Sequence, residues 1–428
     1  MSAAWLLSQR HRVTVYEREG RLGGHSHTVD APGPDGPIPV DTGFIVYNEA
    51  NYPNLTAMFE HLGVATRGSD MSFGVSVDDG RLEYSSNSAA ALFAQKRNLL
   101  SPRFWSMLAD LVRFYREAPN DCCALDQRLT SLGDYLCEQG YGRAFQEDHL
   151  LPQAAAIWST SAVRIREFPA AAFIRFCQNH GLLSLKARPQ WRTVVGGSRA
   201  YVEKLTAAYA HRIRIGLGAE AVRREGNGVE VRDGRGEVRR FDHVVVATHA
   251  DEALRLLEDP SVLEASLLGA FRYTPNRAVL HGDDRLMPRR RSCWSSWNYI
   301  GRSGGEAEGG DLCVTYWMNR LQGLPASRQL FVTLNPAVEP ATGSVVRDET
   351  YEHPLFDAAA VRAQRRLWSL QGMRNTWFCG SYFGSGFHED GLQSGLAVAE
   401  ALGGVRRPWR VAEESGRIHL RPEAEAVG

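Results

Sequence analysis

The feature that most constrains the fold is a short segment close to the first residue. Residues 12–17 carry the apolar and β-branched side chains of a buried strand and end in an acid, Glu17. A helix is predicted before this strand, over residues 2–9, and residues 21–24 (Arg-Leu-Gly-Gly) follow it. A helix, a strand and an acid in this order are typical of the second half of a βαβ unit. The segment therefore predicts a parallel sheet covered by helices.

In a dinucleotide-binding Rossmann unit, a first strand and a G-x-G-x-x-G turn stand before that helix, and the acid binds the ribose hydroxyls. Both would precede Ser2, and neither is in the sequence. We expect a chain that begins at Met1 to bind the cofactor poorly or to fold poorly, because each lost hydrogen bond to a charged group would have contributed roughly 1.5–3 kcal/mol. A misassigned start is the simpler explanation for the missing strand and turn.

Three stretches resemble the flavin-containing amine oxidase superfamily, which includes protoporphyrinogen oxidases and phytoene-type desaturases. The first is the acid followed by R-x-G-G, after which His25 replaces the arginine common in the family. The second is residues 40–47 (Val-Asp-Thr-Gly-Phe-Ile-Val-Tyr), and the third is residues 378–381 together with residues 389–395. More narrowly, most of the chain is similar to bacterial proteins known as predicted NAD/FAD-binding oxidoreductases.

The resemblance implies FAD as the cofactor. In the family the acid holds the adenosine ribose, and the paired glycines let the backbone approach the pyrophosphate. A segment like residues 40–47 runs beneath the flavin ring, a position like that of Val222 meets the adenine, and the closing motif points a helix N-terminus at the cofactor. The cofactor-binding residues implied are Glu17, Arg21, Gly23, Gly24, His25, Gly43, Phe44, Val222, Gly380, Ser381, Glu389, Asp390, Gly391, Leu392 and Ser394.

Patterns of apolar residues predict the remaining elements. Residues 53–63 indicate a helix ended by glycine, and residues 71–84 indicate a hairpin that turns at Asp79 and Gly80. Residues 89–187, with apolar side chains every three or four positions, predict a helical insertion. The predicted strands are residues 213–217, 221–224, 228–231 and 241–248, followed by an aromatic-rich strand region over residues 271–335 and a closing helix over residues 391–402.

These elements and the resemblance together predict an α/β fold. A Rossmann-like FAD-binding domain that lacks its first strand is interleaved with an α+β substrate domain that carries the helical insertion. The FAD-binding domain would consist of residues 1–70, 191–255 and 373–404. The substrate domain would consist of residues 71–190, mostly helical, and residues 256–372, mostly strands. Residues 405–428 would form a frayed polar tail.

Composition and charge argue against several classes of protein. Lysine plus arginine number 49, as do aspartate plus glutamate, so no overall field would attract nucleic acid or an anionic membrane. No apolar run approaches the ~20 residues needed to span a bilayer, although the helical insertion leaves a peripheral lipid contact open. The seven cysteines lack C-x-x-C spacing, which favours reduced thiols in the cytoplasm. The histidines lack the spacing of metal ligands, so no metal is expected.

Two residues are candidates for catalysis. Arg277 falls where many amine oxidases keep a lysine that holds water against the flavin, and a guanidinium is a poor proton acceptor. His388 stands just before the closing motif and could face the flavin ring. The alternatives are a surface arginine on a strand and a histidine that caps a helix. If Arg277 does replace the lysine, an apolar or lipid-like substrate is favoured over an amine.

The predicted function is an FAD-dependent oxidoreductase that transfers hydride from a substrate C–H bond to flavin. The substrate would be a small molecule, either an amine or, more in keeping with Arg277, an apolar or lipid-like compound. Two alternatives stay open: a flavoprotein without net redox turnover, such as an isomerase or mutase, and a truncated pseudoenzyme. The electron acceptor and the oligomeric state also stay open.

Overall fold

A computed structural model describes residues 1–184, 189–301 and 312–420 of the chain. Parts of three predicted segments therefore lie outside the described residues: 185–188 of the first substrate-domain segment, 302–311 of the aromatic-rich strand region and 421–428 of the tail. No helix in the described ranges is both long and apolar enough to cross a membrane.

The strands are β1 Val15–Glu17, β2 Thr28–Ala31, β3 Ile38–Asp41, β4 Tyr47–Asn48, β5 Thr66–Ser69, β6 Phe73–Val77, β7 Leu82–Ser85, β8 Trp191–Val194, β9 Ile213–Ile215, β10 Ala219–Glu225, β11 Gly228–Asp233, β12 Val238–Phe241, β13 Val244–Val246, β14 Arg272–His281, β15 Trp297–Gly301, β16 Cys313–Trp317, β17 Phe331–Leu334, β18 Val345–Leu355 and β19 Thr376–Phe378.

The helices are α1 Ser2–Leu7, α2 Pro53–His61, α3 Ala89–Leu92, α4 Pro102–Arg128, α5 Leu132–Glu138, α6 Arg143–Phe145, α7 Leu151–Trp158, α8 Ala162–Arg166, α9 Ala170–Asn179, α10 Arg199–Thr206, α11 Ala250–Leu256, α12 Val262–Leu268, α13 Met318–Leu321, α14 Ala358–Gln364 and α15 His388–Gly403. A π-helical turn, Gln146–Leu150, joins α6 to α7.

The parallel strands predicted from the N-terminal segment are present as two pairs. Strand β1 pairs in parallel with β9, and β13 pairs in parallel with β19. Helix α1 packs against α15 so closely that a side chain at Gly395 would overlap Ser2. The α/β prediction is confirmed, with helices packed beside parallel strands whose residues are far apart in the sequence.

One predicted strand, residues 241–248, was wrong as a single element. Strand β12 ends at Phe241 in an antiparallel sheet with β10 and β11, whereas β13 begins at Val244 in the parallel pair with β19. The polar residues Asp242 and His243 lie between them and are exposed. The chain therefore leaves one sheet and enters another at these two exposed residues. The hydrophobicity of the segment alone does not reveal this change of sheet.

A seven-stranded sheet forms the second layer, with the order β18-β14-β17-β16-β15-β6-β7. The predicted hairpin is confirmed as β6 and β7, and the turn residues Asp78, Asp79 and Gly80 all have positive φ. Strand β6 joins the later strands by pairing in parallel with β15. Two distant segments of the chain thus share one sheet.

The helical insertion is also confirmed, as the helices α3 to α9. Phe104 and Phe114 on α4 are buried, and so are Phe145 and Phe173 on neighbouring helices, so the apolar face of α4 packs into the interior. Trp105 lies on the other face and is half exposed. Helix α4 is therefore an amphipathic core helix.

The prediction of a frayed tail has to be corrected for residues 405–420. Arg407 is buried and its guanidinium pairs with Glu400 on α15 at 2.8 Å, and Arg417 pairs with Asp390 at 2.7 Å. Ile418 is buried as well. The segment is irregular, but ion pairs to α15 hold it against the body of the protein.

The buried carboxylate of Asp41 joins three separate parts of the fold. Its oxygens accept hydrogen bonds from Thr28 Oγ1 at 2.6 Å, from Ser198 N–H at 2.8 Å and from Gln322 Nε2 at 2.9 Å. These partners lie on β2, at the start of α10 and after α13. Burial raises the pKa of Asp41 to about 6. Burial destabilises the ionised carboxylate, and the hydrogen bonds partly offset that effect by stabilising it.

We expect Asp41→Ala to lower the free energy of unfolding by about 3 kcal/mol or more, because it leaves several buried donors without an acceptor. The matched control is Asp30→Ala, since Asp30 also joins β2 to α10 through Arg199, at 2.8 and 3.0 Å, but in an exposed pair. That change should cost less than about 1 kcal/mol. Urea unfolding of both variants measures the difference, and equal losses would contradict this role of Asp41.

Candidate active site

One cavity of about 2360 Å³ runs between the parallel strand pairs, the seven-stranded sheet and the helical insertion. It is far larger than the roughly 300–1,000 Å³ of an ordinary small-ligand pocket. Most of the site residues predicted from the sequence line it: Glu17, Arg21, Gly23, Gly24, His25, Gly43, Phe44, Val222, Gly380, Ser381, His388, Gly391 and Leu392. Residues from both ends of the chain therefore share one groove.

The loop after β1 brings its backbone to the cavity. Gly23 has φ +114°, and a Cβ built there would lie 2.5 Å from the carbonyl oxygen of Ser26, so the tight turn requires glycine. Gly24 has φ +57°, and nothing lies within 4 Å of a Cβ built on it. Arg21 Nη1 donates to the Gly24 carbonyl at 2.6 Å, which fixes the loop. Its backbone is thus open to a ligand.

Glu17 ends β1 at the same edge of the cavity. One carboxylate oxygen accepts the backbone N–H of Glu19 at 2.9 Å, which orients the side chain. The remaining acceptor positions are the type of group that binds ribose hydroxyls. Val222 lines the cavity from β10, where its carbonyl oxygen accepts the N–H of Glu258 at 3.1 Å.

A second loop closes against the first one. The N–H of Phe44 donates to the carbonyl oxygen of His25 at 2.8 Å, and a Cβ on Gly43 would overlap that same oxygen. The ring of Phe44 stacks on the imidazole of His388, with centroids 3.9 Å apart and planes 13° apart. Only glycine at position 43 allows this approach of the two loops.

His388, the first residue of α15, is held in a chain of hydrogen bonds. Its Nε2 lies 2.6 Å from the hydroxyl of Tyr201, which lies 2.5 Å from Ser26 Oγ. Burial lowers the pKa of His388 to about 4, so the imidazole is neutral near pH 7. Tyr201 and Ser26 each carry a hydroxyl that can donate or accept, so the direction of this chain of hydrogen bonds follows from which nitrogen of the neutral His388 carries the proton.

Glu389 and Asp390, predicted to bind the cofactor, do not line the cavity. Glu389 is fully buried and accepts the N–H groups of Asn54 and Leu55, both at 3.0 Å. Asp390 accepts the N–H of Phe387 at 2.7 Å and pairs with Arg417. This cap explains why α15 begins at His388, before the predicted residue 391. Asp390 therefore caps the start of α15, whereas Glu389 accepts the first N–H groups of α2 and ties the two helices together.

Ser394 also lies outside the cavity lining. Its Oγ is 3.0 Å from both the N–H and the carbonyl oxygen of Gly380, so it supports the turn after β19. Gly380 and Ser381 in that turn do line the cavity. Ser394 therefore positions residues that reach the site.

Arg277, the other catalytic candidate, lies outside the cavity. It lies on β14 with its guanidinium paired to Glu339 at 2.6 Å and to Asp348 at 2.7 Å, and its side chain is 40% exposed. It is not part of the cavity wall. These surroundings are those of a surface arginine on a strand, which was the alternative to a catalytic role.

A group of imidazoles lies beside His25, and no sequence pattern had indicated it. The ring centroid of His25 lies 5.4 Å from that of His353, 6.2 Å from that of His249 and 5.0 Å from the ring of Tyr351. Burial lowers the pKa of His25 to about 3 and that of His353 to about 4, so both are neutral. Within the described ranges, no group of His, Cys, Asp or Glu side chains is arranged to hold a metal ion.

The helical insertion supplies an apolar end to the cavity. The rings of Trp158 and Phe176 lie 4.6 Å apart, and Phe176 stacks on Phe387, directly before His388, at 4.7 Å. The described residues that the insertion contributes to the wall are Gln153, Ala156, Ile157, Trp158, Ser159, Phe176, His180 and Leu182. None of these side chains is charged at neutral pH. The one titratable group, His180, is neutral because burial lowers its pKa to about 3.

A family model described as flavin containing amine oxidoreductase matches residues 1–333 of the chain. The chain belongs to this family. Its cofactor is FAD, and the protein is a flavin-dependent oxidoreductase enzyme. No curated protein matches the chain.

Solved structures show the same fold at low sequence identity. A putrescine oxidase bound to putrescine is 14% identical with a TM-score of 0.65, and the match covers 94% of this chain and 96% of that one. A CLA-producing fatty acid isomerase from P. acnes is 15% identical with a TM-score of 0.65 and the same coverage of both chains. Cyclohexylamine oxidase from Brevibacterium oxydans is 17% identical with a TM-score of 0.61 and again the same coverage.

The residues present fit FAD. The groove is long, the glycine loop exposes backbone at one end, and Glu17 and Arg21 supply an acceptor and a cation there. The apolar and neutral groups lie toward His388 and the helical insertion. When bound, the flavin supplies a two-electron acceptor for hydride, and the protein supplies orientation and desolvation.

We expect Glu17→Ala to raise the dissociation constant for FAD roughly 10- to 150-fold, because it removes charged hydrogen bonds to the ribose. The matched control is Glu237→Ala, since Glu237 is an acid with a side chain that is 55% exposed and does not line the cavity. Titrating apo-protein with FAD and following the quenching of flavin fluorescence gives both constants. Similar constants for the two variants would show that Glu17 does not bind the cofactor.

Proposed function

We propose that the enzyme oxidises a C–H bond of an apolar or lipid-like substrate, with FAD held between its two ends. The observation that carries this proposal is the wall contributed by the helical insertion, in which the described side chains are apolar or neutral. Glu349 and Glu352 line the cavity from β18, but the insertion contributes no carboxylate. An alkylammonium group bound against the insertion would therefore be buried without a counter-ion, which is costly. An apolar chain incurs no such cost.

In this proposal the FAD-binding domain consists of residues 1–70, 191–255 and 373–404. The parts of these three segments that line the cavity hold the cofactor. Glu17 binds the ribose, the loop of Gly23 and Gly24 faces the pyrophosphate, and Val222 borders the adenine. Gly43, Phe44, Gly380, Ser381, Gly391 and Leu392 border the rest of the cofactor.

His388 orients the reacting region in this proposal. It is neutral, it stacks on Phe44, and its Nε2 is occupied by the Tyr201 hydroxyl. It therefore acts as a fixed, uncharged surface next to Phe387 and the apolar compartment.

The described cysteines are all free thiols, which supports a cytoplasmic location.

The proposal predicts that methyl oleate, a long-chain apolar probe, binds the holoenzyme and that putrescine does not. Ile157→Asp should weaken binding of methyl oleate on the order of tenfold or more, because it places a charge in the apolar wall. Val163→Asp is the control, since Val163 is 58% exposed on α8. Perturbation of the flavin absorption spectrum measures binding. Putrescine binding more tightly than methyl oleate would contradict an apolar substrate.

Consumption of an electron acceptor separates oxidation from the non-redox alternative. An oxidase or dehydrogenase consumes one two-electron acceptor for each product molecule. An isomerase would form product with no such consumption, and a pseudoenzyme would form none.

We further propose a peripheral contact with an anionic lipid surface through an exposed apolar cluster, Leu99, Leu100 and Trp105. Leu100 is 87% exposed, and Trp105 donates its indole N–H to the Leu99 carbonyl at 2.9 Å. The exposed basic residues Lys96 and Arg97 stand beside the cluster. Apolar side chains flanked by positive charge are the combination that binds anionic lipid surfaces.

Leu100→Asp should reduce cosedimentation with vesicles that contain anionic phospholipid on the order of tenfold, because a leucine side chain contributes roughly 1.5–3 kcal/mol when buried. Val338→Asp serves as the control, since Val338 is 62% exposed elsewhere on the surface. Equal cosedimentation of both variants and the unaltered protein would exclude this cluster as the contact.

A further inference from the structure

The imidazole of His388 is held by its neighbours and keeps one nitrogen open to the cavity. Its Nε2 lies 2.6 Å from the Tyr201 hydroxyl, and the ring of Phe44 stacks on one face at 3.9 Å. Its Nδ1 makes no hydrogen bond within the described ranges. That nitrogen is not closed off from solvent, in contrast to the unpaired ring nitrogens of His25 and His353. Because His388 lines the cavity, its Nδ1 can be reached by a bound ligand.

The hydrogen bonds at Nε2 indicate which nitrogen carries the proton. Ser26 Oγ lies 2.5 Å from the Tyr201 hydroxyl and makes no other hydrogen bond in the part of the chain that the structure describes. If Nε2 carried the proton, Tyr201 would accept from it and donate to Ser26, whose own hydroxyl hydrogen would have no acceptor. Ser26 is 3% exposed, and a buried donor without an acceptor is costly. In the opposite direction Ser26 donates to Tyr201 and Tyr201 donates to Nε2, which favours a proton on Nδ1.

A protonated Nδ1 restricts what can bind beside it. Burial lowers the pKa of His388 to about 4, so this nitrogen is a neutral donor, which pairs with an acceptor and not with an ammonium group. His388 is also the first residue of α15, where the unpaired N–H groups of the helix start favour negative partial charge. The matching partner is a carbonyl oxygen or an aromatic ring nitrogen, and the ring system of a flavin carries both.

We propose that Tyr201 holds His388 in the form protonated at Nδ1, and that Nδ1 donates a hydrogen bond to the ring of the bound flavin. The inference rests on the proposed position of the ring at this end of the cavity, and it adds the side-chain atom that meets the ring. His388 is then a cofactor-binding residue, and Tyr201 and Ser26 act through it as positioning residues. A neutral donor holds the ring without placing a charge beside the apolar compartment.

The protonated nitrogen is identified without cofactor, by NMR of protein that contains isotope-labelled histidine. The signals of His388 are assigned by their loss in His388→Asn. We expect a proton on Nδ1 in the unaltered protein and a mixture of both forms in Tyr201→Phe. Tyr84→Phe is the matched control, because the hydroxyl of this buried tyrosine also lies 3.0 Å from a histidine nitrogen, Nδ1 of His149. A proton on Nε2 in the unaltered protein would overturn the inference and leave the proposed substrate untouched.

The contact with the flavin ring is measured as the ratio of two dissociation constants, for FAD and for ADP. ADP shares the adenine, the ribose and both phosphates with FAD but lacks the ring, so effects on the shared part cancel. Quenching of flavin fluorescence follows FAD, and displacement of FAD follows ADP. We expect His388→Leu to lower the preference for FAD roughly three- to tenfold, the value of one hydrogen bond. His388→Asn is the rescue variant, because its amide nitrogen takes the place of Nδ1, and it should keep most of the preference.

The variants separate the possible failures. Tyr201→Phe should also lower the preference for FAD, and it keeps the inference testable if the leucine variant does not fold. The inference is overturned if His388→Leu and Tyr201→Phe both keep the preference of the unaltered enzyme. If the unaltered enzyme binds FAD no more tightly than ADP, the proposed position of the ring fails, and this inference fails with it.

Discussion

The cavity depends on the buried carboxylate of Asp41, because that group joins three segments that are distant in the sequence. Thr28 on β2, Ser198 before α10 and Gln322 after α13 all donate to it. Asp41 stands two residues before Gly43, so the same network fixes the loop that closes against His25. A carboxylate in this environment is costly to ionise, as its pKa of about 6 shows. The convergent donors offset that cost, and the geometry of the loop follows from them.

The cavity is divided by charge along its length. Glu17 and Arg21 stand at the end where phosphate and ribose are expected, and they are accessible to solvent or ligand. Toward His388 the wall consists mainly of aromatic rings and of imidazoles that burial keeps neutral, with Glu349 and Glu352 contributed by β18. Each of these imidazoles would have to take up a proton to become charged, and its surroundings oppose that. This division is the one that the proposed function requires, with the dinucleotide at one end and an uncharged substrate at the other.

Local elements could be predicted from the sequence because their signals are short-range. The turn at Asp79 and Gly80 and the glycine that ends α2 are examples, since each depends on residues within one turn of the chain. Most of the residues that the family motifs implicated do line the cavity. The sequence could not show that Asp390 pairs with Arg417 or that His25 meets His353, because those contacts depend on tertiary packing. Asp390, an acid in a cofactor motif, thus caps a helix in the structure, and His353, which no sequence pattern had singled out, lines the cavity.

Relatives with the same fold act on an amine in one case and on a fatty acid in another, so the fold itself does not decide the substrate. We propose that the side chains contributed by the helical insertion decide it. In this chain they are apolar except for Gln153, Ser159 and a neutral His180. A compartment of this kind discriminates more strongly by charge than by apolar area. A charged group would be buried there without a counter-ion from the insertion, whereas one methylene more or less changes the binding energy only modestly.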